Sequence, residues 1–215
     1  MNALFSSGKL RLALASGLVL AVAAALAFTV HAAAAGDPQH GGKVAAEKCA
    51  SCHGPDGNGG AAATPKLAGQ KAAYLYRELW AFKRGGRPSA VMHAVVAPLS
   101  DADLADAAAY YADRRVRPDA VSDPALAQAG ERIYYAGRPS CAMCHDGGGM
   151  SMMGMMGGGM APNAPRLRGQ HAGYTLRQLD AFASGRRRGT VMNRVAPALT
   201  ETERRAVAVY LSGTH

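Results

Sequence analysis

The sequence predicts an all-α protein built from two tandem copies of one helical domain. The segment that begins at Pro65 is similar to the segment that begins at Pro165, with 18 identical residues in register and without a gap. Internal repetition of this kind indicates a duplicated structural unit. Neither copy contains the alternating β-branched and aromatic runs that are typical of strands. Both copies are therefore predicted to be helical.

Three helices are predicted in each copy, in the same order. A short helix leads into each cysteine pair, over residues 42–49 in the first copy and 124–137 in the second. Another helix follows the Gly-Gln dipeptide that both copies share. The last helix begins with a capping box or a close relative of one. These capping pairs are Ser100 with Asp103 and Thr200 with Glu203.

The ends and the middle of the chain define its organisation. Residues 1–35 have the basic start, apolar run and small exit residues of a targeting segment, and we expect cleavage after Ala35. The apolar run is also long enough to span a bilayer, so an uncleaved membrane anchor remains an alternative. Residues 116–125 contain two prolines and no periodicity, which indicates a linker. It separates an N-terminal domain (36–115) from a C-terminal domain (126–215).

Each copy contains one Cys-x-x-Cys-His motif. The motifs consist of Cys49, Cys52 and His53 and of Cys141, Cys144 and His145. This spacing is the attachment signature of c-type haem, in which two thiols add to the porphyrin and the histidine coordinates the iron. A zinc site would need two further ligands, and a thioredoxin-like site would need a βαβ context that is not predicted. The sequence therefore predicts two covalently bound haem c groups.

Methionine is the predicted second axial ligand of each iron. After residue 35 the first copy contains a single methionine, Met92, and it aligns with Met192 of the second copy. Core packing alone does not explain why this residue recurs in register. His93 lies next to Met92, but its counterpart is Asn193. We therefore expect His/Met ligation at both haems, which raises the potential of c-type cytochromes.

A proline follows each motif at the same aligned position. Histidines that bind metals usually donate their other ring N–H to a carbonyl or carboxylate group. The carbonyls of Pro65 and Pro165 are candidate acceptors for His53 and His145. The alternative is that these prolines only fix the local backbone of a loop.

Together, these motifs resemble the cytochrome c4 family. The resemblance rests on the two haem motifs, on "PKLAGQ" and "PRLRGQ", and on "RPSAVM" and "RRGTVM" ahead of a final helix. It implies two tandem class I cytochrome c domains, each wrapped around its haem and related by pseudo-twofold symmetry. It also implies a periplasmic electron carrier, soluble or membrane-associated, between a cytochrome bc-type donor and a haem–copper oxidase.

A methionine- and glycine-rich insertion near 148–160 departs from the family pattern. It follows the second motif and has no counterpart in the first copy. We interpret it as a flexible loop whose methionines pack loosely beside the haem or a partner. Two alternatives remain: one of its methionines replaces Met192 as the ligand, or several bind Cu(I). The methionines are Met150, Met152, Met153, Met155, Met156 and Met160.

Electron transfer without catalysis is the expected function, because irons with both axial positions occupied have no place for a substrate. The first alternative is the electron-accepting cytochrome subunit of a dehydrogenase or sulfur-oxidising complex. The second is a di-haem peroxidase or reductase, which would need one open or bis-histidine iron. The third is a copper-handling module that uses the methionine-rich loop.

The charge of the chain indicates the kind of partner. The formal net charge is +9, and the arginine-rich segment 184–189 lies just before Met192. This segment predicts a basic patch near the haem edge that favours an acidic redox partner. The alternative is that some arginines only balance the haem propionates. Nucleic acid is not expected as a partner of an exported haem protein. Four histidines without counterparts are predicted to be surface or tail residues: His31, His40, His171 and His215.

Overall fold

The described part of the protein is entirely helical in its regular structure. The structure is a computed structural model, and it describes residues 36–146 and 163–214. Within these ranges every regular element is a helix, and no strand is present. The predicted all-α fold class is confirmed.

The N-terminal domain begins with a helix that leads into the first motif. This helix, α1, starts at Pro38, earlier than predicted, because the Asp37 carboxylate accepts a hydrogen bond from the backbone N–H of Gln39 at 2.8 Å. The helices of this domain are α1 (Pro38–Val44, continued by a π-helical turn over Ala45–Cys49), α2 (Ala50–His53), α3 (Ala72–Lys83), α4 (Ala90–Val96) and α5 (Asp101–Ala112).

The C-terminal domain repeats this order. Its first helix begins at Pro124, so the last two residues of the predicted linker are helical. The helices are α6 (Pro124–Ala136), α7 (Ala142–His145), α8 (Ala172–Ala183), α9 (Met192–Val195, followed by a 3₁₀ turn over Ala196–Ala198) and α10 (Glu201–Ser212).

The first and last helices of each domain cross at a glycine. A Cβ atom on Gly41 of α1 would lie 1.9 Å from the carbonyl oxygen of Asp106, and one on Gly130 of α6 would lie 2.1 Å from that of Ala206. No side chain fits in such a gap, so both crossings require glycine. The crossings bring apolar side chains of the last helix into each core, including the fully buried Leu104.

The last helices start where the capping pairs predict. Ser100 Oγ accepts from the Asp103 N–H at 3.0 Å, and an Asp103 carboxylate oxygen accepts from the Ser100 N–H at 2.9 Å. Thr200 and Glu203 make the same two bonds at 3.2 Å and 2.8 Å. Both pairs are complete capping boxes.

The two domains pack against each other through hydrogen bonds that obey pseudo-twofold symmetry. The Gln70 amide accepts from the Arg166 N–H at 2.9 Å and donates to the Arg166 carbonyl at 2.8 Å. The Gln170 amide makes the equivalent pair with Lys66, both at 2.9 Å. We call these four bonds the glutamine clamp. Each glutamine side chain pairs with one backbone N–H and one backbone carbonyl of the opposite domain, as a neighbouring β-strand would.

Arginines on α3 and α8 extend this symmetry along the interface. Arg77 donates to the carbonyl of Asn163 at 3.0 Å, and Arg177 donates to that of Ala63 at 2.7 Å. Because the same contacts occur in both directions, the interface consists of one surface used twice.

The linker residue Asp119 connects both domains. Its carboxylate accepts from Lys66 Nζ at 2.6 Å and lies 2.8 Å from His171 Nδ1. His171 is only 5% exposed, and its Nε2 lies 2.6 Å from the Gly59 carbonyl. The prediction that His171 is a surface residue is therefore wrong, whereas His40 is exposed as predicted.

Several predicted features lie outside the described residues. They are the leader (1–35), the insertion near 148–160 with its six methionines, and the histidines at positions 31 and 215. In the ranges that are described, no helix has the length and apolar character needed to cross a bilayer.

Candidate haem sites

Each motif histidine is buried and held by a proline carbonyl. His53 is 6% exposed and His145 is 9% exposed. The Nδ1–H of His53 donates to the carbonyl oxygen of Pro65 at 2.8 Å, and that of His145 donates to Pro165 at 2.8 Å. The predicted hydrogen bonds are therefore present. Because a carbonyl only accepts, the proton is on Nδ1 and the Nε2 lone pair remains available for a metal.

Burial favours the neutral form of both imidazoles. It lowers the pKa of His53, and the hydrogen bond to Pro65 only partly opposes this effect. His145 behaves in the same way, since burial lowers its pKa more than the bond to Pro165 raises it. The neutral imidazole is the form that coordinates iron.

The motif cysteines lie next to these histidines and form no disulfide with one another. Cys52 is exposed, and the other three are partly buried. Burial raises the pKa of Cys49 and of Cys141, which disfavours reactive thiolates. Each motif thus presents two thiols and one metal-binding nitrogen on a single helical turn, which fits covalent haem attachment.

Each in-register methionine lies on a short helix that the sequence did not predict. Met92 is in α4, where Ser89 Oγ accepts from its N–H at 3.3 Å, and Met192 is the first residue of α9. The residue after each methionine ties its helix to the preceding long helix. His93 Nδ1 lies 3.1 Å from the Phe82 carbonyl, and Asn193 Nδ2 donates to the Phe182 carbonyl at 2.7 Å. His93 and Asn193 therefore have the same structural role.

A cavity of about 710 Å³ opens between α6, the second motif and the methionine segment. Its lining includes Cys141, Ile133, Val195 and Leu199. Its volume and mainly apolar walls are typical of cofactor pockets. Cys141, a predicted haem attachment residue, thus lies in the wall of this cavity.

Three arginines and one glutamate, Glu203, line this cavity. Arg132, Arg138 and Arg194 line it and are exposed, and we call them the basic rim. The arginines of the predicted basic segment 184–189 do not all face solvent. Arg187 points into the domain interface, and its side chain is 12% exposed. The positive patch near the second haem site therefore includes residues that the sequence prediction did not identify.

The aspartate that follows His145 is held in place by its own hydrogen bonds. The Asp146 carboxylate accepts a bidentate pair of bonds from Arg168 at 3.1 Å and 3.0 Å and a bond from the Tyr134 hydroxyl at 2.6 Å. Burial alone would raise the pKa of Asp146, but these donors outweigh it and lower the pKa. Its position immediately after the motif was the only sequence signal for this network.

Known proteins match both domains of the chain. A family model described as cytochrome c oxidase, cbb3-type, subunit III matches residues 36–110, and the cytochrome c model matches residues 127–215. Cytochrome c4 of Stutzerimonas stutzeri is 38% identical over 209 residues, which cover 88% of this chain and 95% of that protein. The chain belongs to the cytochrome c4 family.

Two further matches agree with this assignment. The crystal structure of reduced recombinant cytochrome c4 from Pseudomonas stutzeri superposes with a TM-score of 0.73 at 36% identity, covering 84% of this chain and all of that one. A thiosulfate dehydrogenase electron acceptor of Stutzerimonas stutzeri (strain A1501) is 34% identical over 90% of this chain and 93% of its own length. This member of the cytochrome c4 family is a di-haem electron carrier with two covalently attached haem c groups.

Proposed function

We propose that both haems have histidine and methionine as axial ligands and that the protein carries electrons between redox partners of the periplasm. The observation that carries this proposal is the recurrence, in both domains, of a buried histidine whose Nδ1 donates to a proline carbonyl and of an in-register methionine segment. The assigned residues are Cys49, Cys52, His53 and Met92 for the first haem and Cys141, Cys144, His145 and Met192 for the second.

The residues of each site are suited to electron transfer and not to catalysis on a bound substrate. The proline carbonyls fix the tautomer and the ring orientation of the two histidines. The short helices α4 and α9 carry the methionines, and His93 and Asn193 tie these helices to the preceding long helices. The bound haem supplies an iron that changes its charge by one electron. With both axial positions occupied by protein, no position is left for a substrate.

The glutamine clamp supports transfer between the two domains. It fixes the orientation of the domains through direct hydrogen bonds to the backbone. An interface held in this way keeps the distance between the two sites constant.

The partners belong to two classes. In the first, the protein takes electrons from a cytochrome bc-type complex and donates them to a haem–copper oxidase. In the second, it accepts electrons from a periplasmic dehydrogenase, which is supported by the relative named as a thiosulfate dehydrogenase electron acceptor. In either case the basic rim favours a partner with an acidic docking surface.

Axial ligation of each haem is the direct test. The near-infrared band from methionine to ferric iron is quantified per haem in the wild type, Met92→Ala and Met192→Ala. We expect each variant to lose half of the band. Met143→Ala is the matched control, because Met143 lies within the second motif but is 53% exposed and faces solvent. A variant lacking residues 150–157 tests the insertion.

The outcomes separate the alternatives. If the deletion removes half of the band while Met192→Ala leaves it intact, the insertion supplies the second ligand. If the wild type shows one methionine-ligated haem, a peroxidase or reductase replaces the carrier as the better proposal. Copper binding by the insertion is tested on the same samples by Cu(I) titration of the wild type against the deletion.

A further inference from the structure

An irregular loop holds both the backbone and the ring of His53. Residues 54–66 start directly after His53 and end just after Pro65, whose carbonyl accepts the bond from the ring. We call this segment the proximal loop. In its middle, the backbone N–H of Gly59 donates to the His53 carbonyl at 2.7 Å. A Cβ atom on Gly59 would lie only 2.8 Å from the His53 carbonyl carbon, so the loop packs directly against this residue.

The C-terminal domain binds the proximal loop at two points. In the middle of the loop, His171 Nε2 lies 2.6 Å from the carbonyl oxygen of Gly59. At its end, Gln170 pairs with the N–H and the carbonyl of Lys66, both at 2.9 Å. The loop contains no helix or strand of its own, so these contacts from outside help to fix its shape.

Both ring nitrogens of His171 are engaged. The residue is 5% exposed, and a carbonyl only accepts, so Nε2 carries a proton and donates to Gly59. Nδ1 lies 2.8 Å from one oxygen of the Asp119 carboxylate, and the other oxygen accepts from Lys66 Nζ at 2.6 Å. Burial opposes the ionisation of Asp119, but hydrogen bonds from Lys66 and His171 outweigh it and lower its pKa. The ionised carboxylate only accepts, so Nδ1 donates as well and the ring has one fixed orientation.

These anchors lie on both sides of the bond that orients the His53 ring. Gly59 is bonded to the His53 backbone, and Lys66 directly follows Pro65, the acceptor of the ring. His171 contacts the first anchor directly and reaches the second through Asp119. Buried hydrogen bonds of this kind limit the local opening of a segment. Groups that orient a metal-binding histidine tune the ligand without touching the metal.

We propose that His171 is a positioning residue for His53: from the C-terminal domain it holds the proximal loop, and with it the imidazole that binds the iron of the N-terminal haem. This inference rests on the proposed function, in which His53 is an axial ligand. The N-terminal haem site is then complete only when the C-terminal domain is docked against it.

Hydrogen exchange of the ligand rings in the haem-loaded, full-length protein tests this role. NMR of the reduced protein with isotope-labelled histidine resolves the Nδ1–H resonances of His53 and His145, which are assigned with the Met92→Ala and Met192→Ala variants. In His171→Ala the Nδ1–H of His53 should exchange with solvent about fivefold faster, because a buried hydrogen bond that closes the loop is lost. The Nδ1–H of His145 should exchange at the wild-type rate.

Two control variants separate this role from a general loosening of the protein. Gln70→Ala removes the clamp bonds to Arg166 in the other domain, and the contacts of His171 remain. His40→Ala removes a histidine that lies at the same distance, 2.8 Å, from a carboxylate oxygen of Asp106 but is exposed. Both variants should leave the exchange of His53 at the wild-type rate.

A further variant covers the case in which His171→Ala does not take up haem. Asp119→Asn keeps one acceptor oxygen but removes the carboxylate that binds His171 and Lys66 together. It should accelerate the exchange of His53 as well, by less than the loss of the imidazole does. An unchanged rate in Asp119→Asn would then overturn the inference.

Three results contradict the proposal. The first is an unchanged exchange rate of His53 in His171→Ala. The second is equal acceleration in Gln70→Ala, and the third is equal acceleration at His145, since both mean that the whole interface has loosened. The proposed function fails separately: if the His53 ring of the ferric wild type shows no paramagnetic shift, His53 is not an axial ligand, whatever the variants do.

Discussion

Without the glutamine clamp, the two domains should unfold in two separate transitions. In Gln70→Ala the Arg166 backbone N–H and carbonyl lose their partners, and in Gln170→Ala those of Lys66 do. Both interdomain bonds of each glutamine are 2.8–2.9 Å long, which is good geometry for amide hydrogen bonds. Because the two sites are related by symmetry, the single variants should have similar effects.

The magnitude follows from the four hydrogen bonds. Each contributes about 1 kcal/mol net to the free energy of unfolding, so each single variant should lose about 2 kcal/mol and the double variant about 4 kcal/mol. Gln70 is 8% exposed and Lys66 is 6% exposed, so water does not fully replace the lost partners. The losses of about 2 and about 4 kcal/mol in unfolding free energy are therefore lower limits.

Guanidinium unfolding of the haem-loaded protein measures this effect. Far-ultraviolet circular dichroism follows the helices, and we expect one transition in the wild type and two in the double variant. Gln128→Ala is the matched control, because Gln128 is exposed on α6. A loss below about 1 kcal/mol in the double variant, or a single unchanged transition, would refute the role of the clamp.

Three further predictions concern other parts of the molecule. Hydrogen bonds from Lys66 and His171 outweigh burial and lower the pKa of Asp119, so its stabilisation is complete above about pH 4 and disappears as the pH falls through the lowered pKa. Asp119→Asn should cost about 2 kcal/mol near neutral pH and flatten the acid side of a plot of melting temperature against pH. Gly69→Ala should cost about 1 kcal/mol, measured by thermal unfolding, because Gly69 has a φ of 68°. Replacing the three arginines of the basic rim by glutamine should slow reduction by an acidic redox protein about tenfold at low salt and little at high salt. Replacing three exposed lysines and arginines of the N-terminal domain should not slow it. Stopped-flow kinetics compares the reduction rates of the two variants.

Much of the fold could be predicted because the same structural unit occurs twice, so that each sequence signal has a counterpart in the other copy. The capping pairs at Ser100 and Thr200 are local signals, and the motif histidines and their proline acceptors recur in register. Short elements were missed. Helices α4 and α9, over Ala90–Val96 and Met192–Val195, are too short to show a periodic pattern, and contacts to the preceding helix hold them in place.

The misplacement of His171 has a physical reason. Its counterpart in the first domain is Lys71, and the lack of a matching histidine predicts an exposed side chain. The linker, however, occurs only once in the chain. A residue that packs against it therefore has no equivalent in the other copy, although it is buried. Asp119 in the linker makes this contact, and no sequence period could reveal it.

The reciprocal interface has a consequence for how the two halves of the chain diverge. One copy of the domain carries both halves of the contact, since Gln70 and Gln170 perform the same task from opposite sides. Two separate copies of such a domain could associate in the same way, but every substitution would then appear on both sides at once. The linker removes that restriction and keeps the two surfaces at high effective concentration. Covalent fusion therefore permits single-sided changes such as glutamate at position 78 against glutamine at position 178, and it allows one partner of a symmetric pair to specialise.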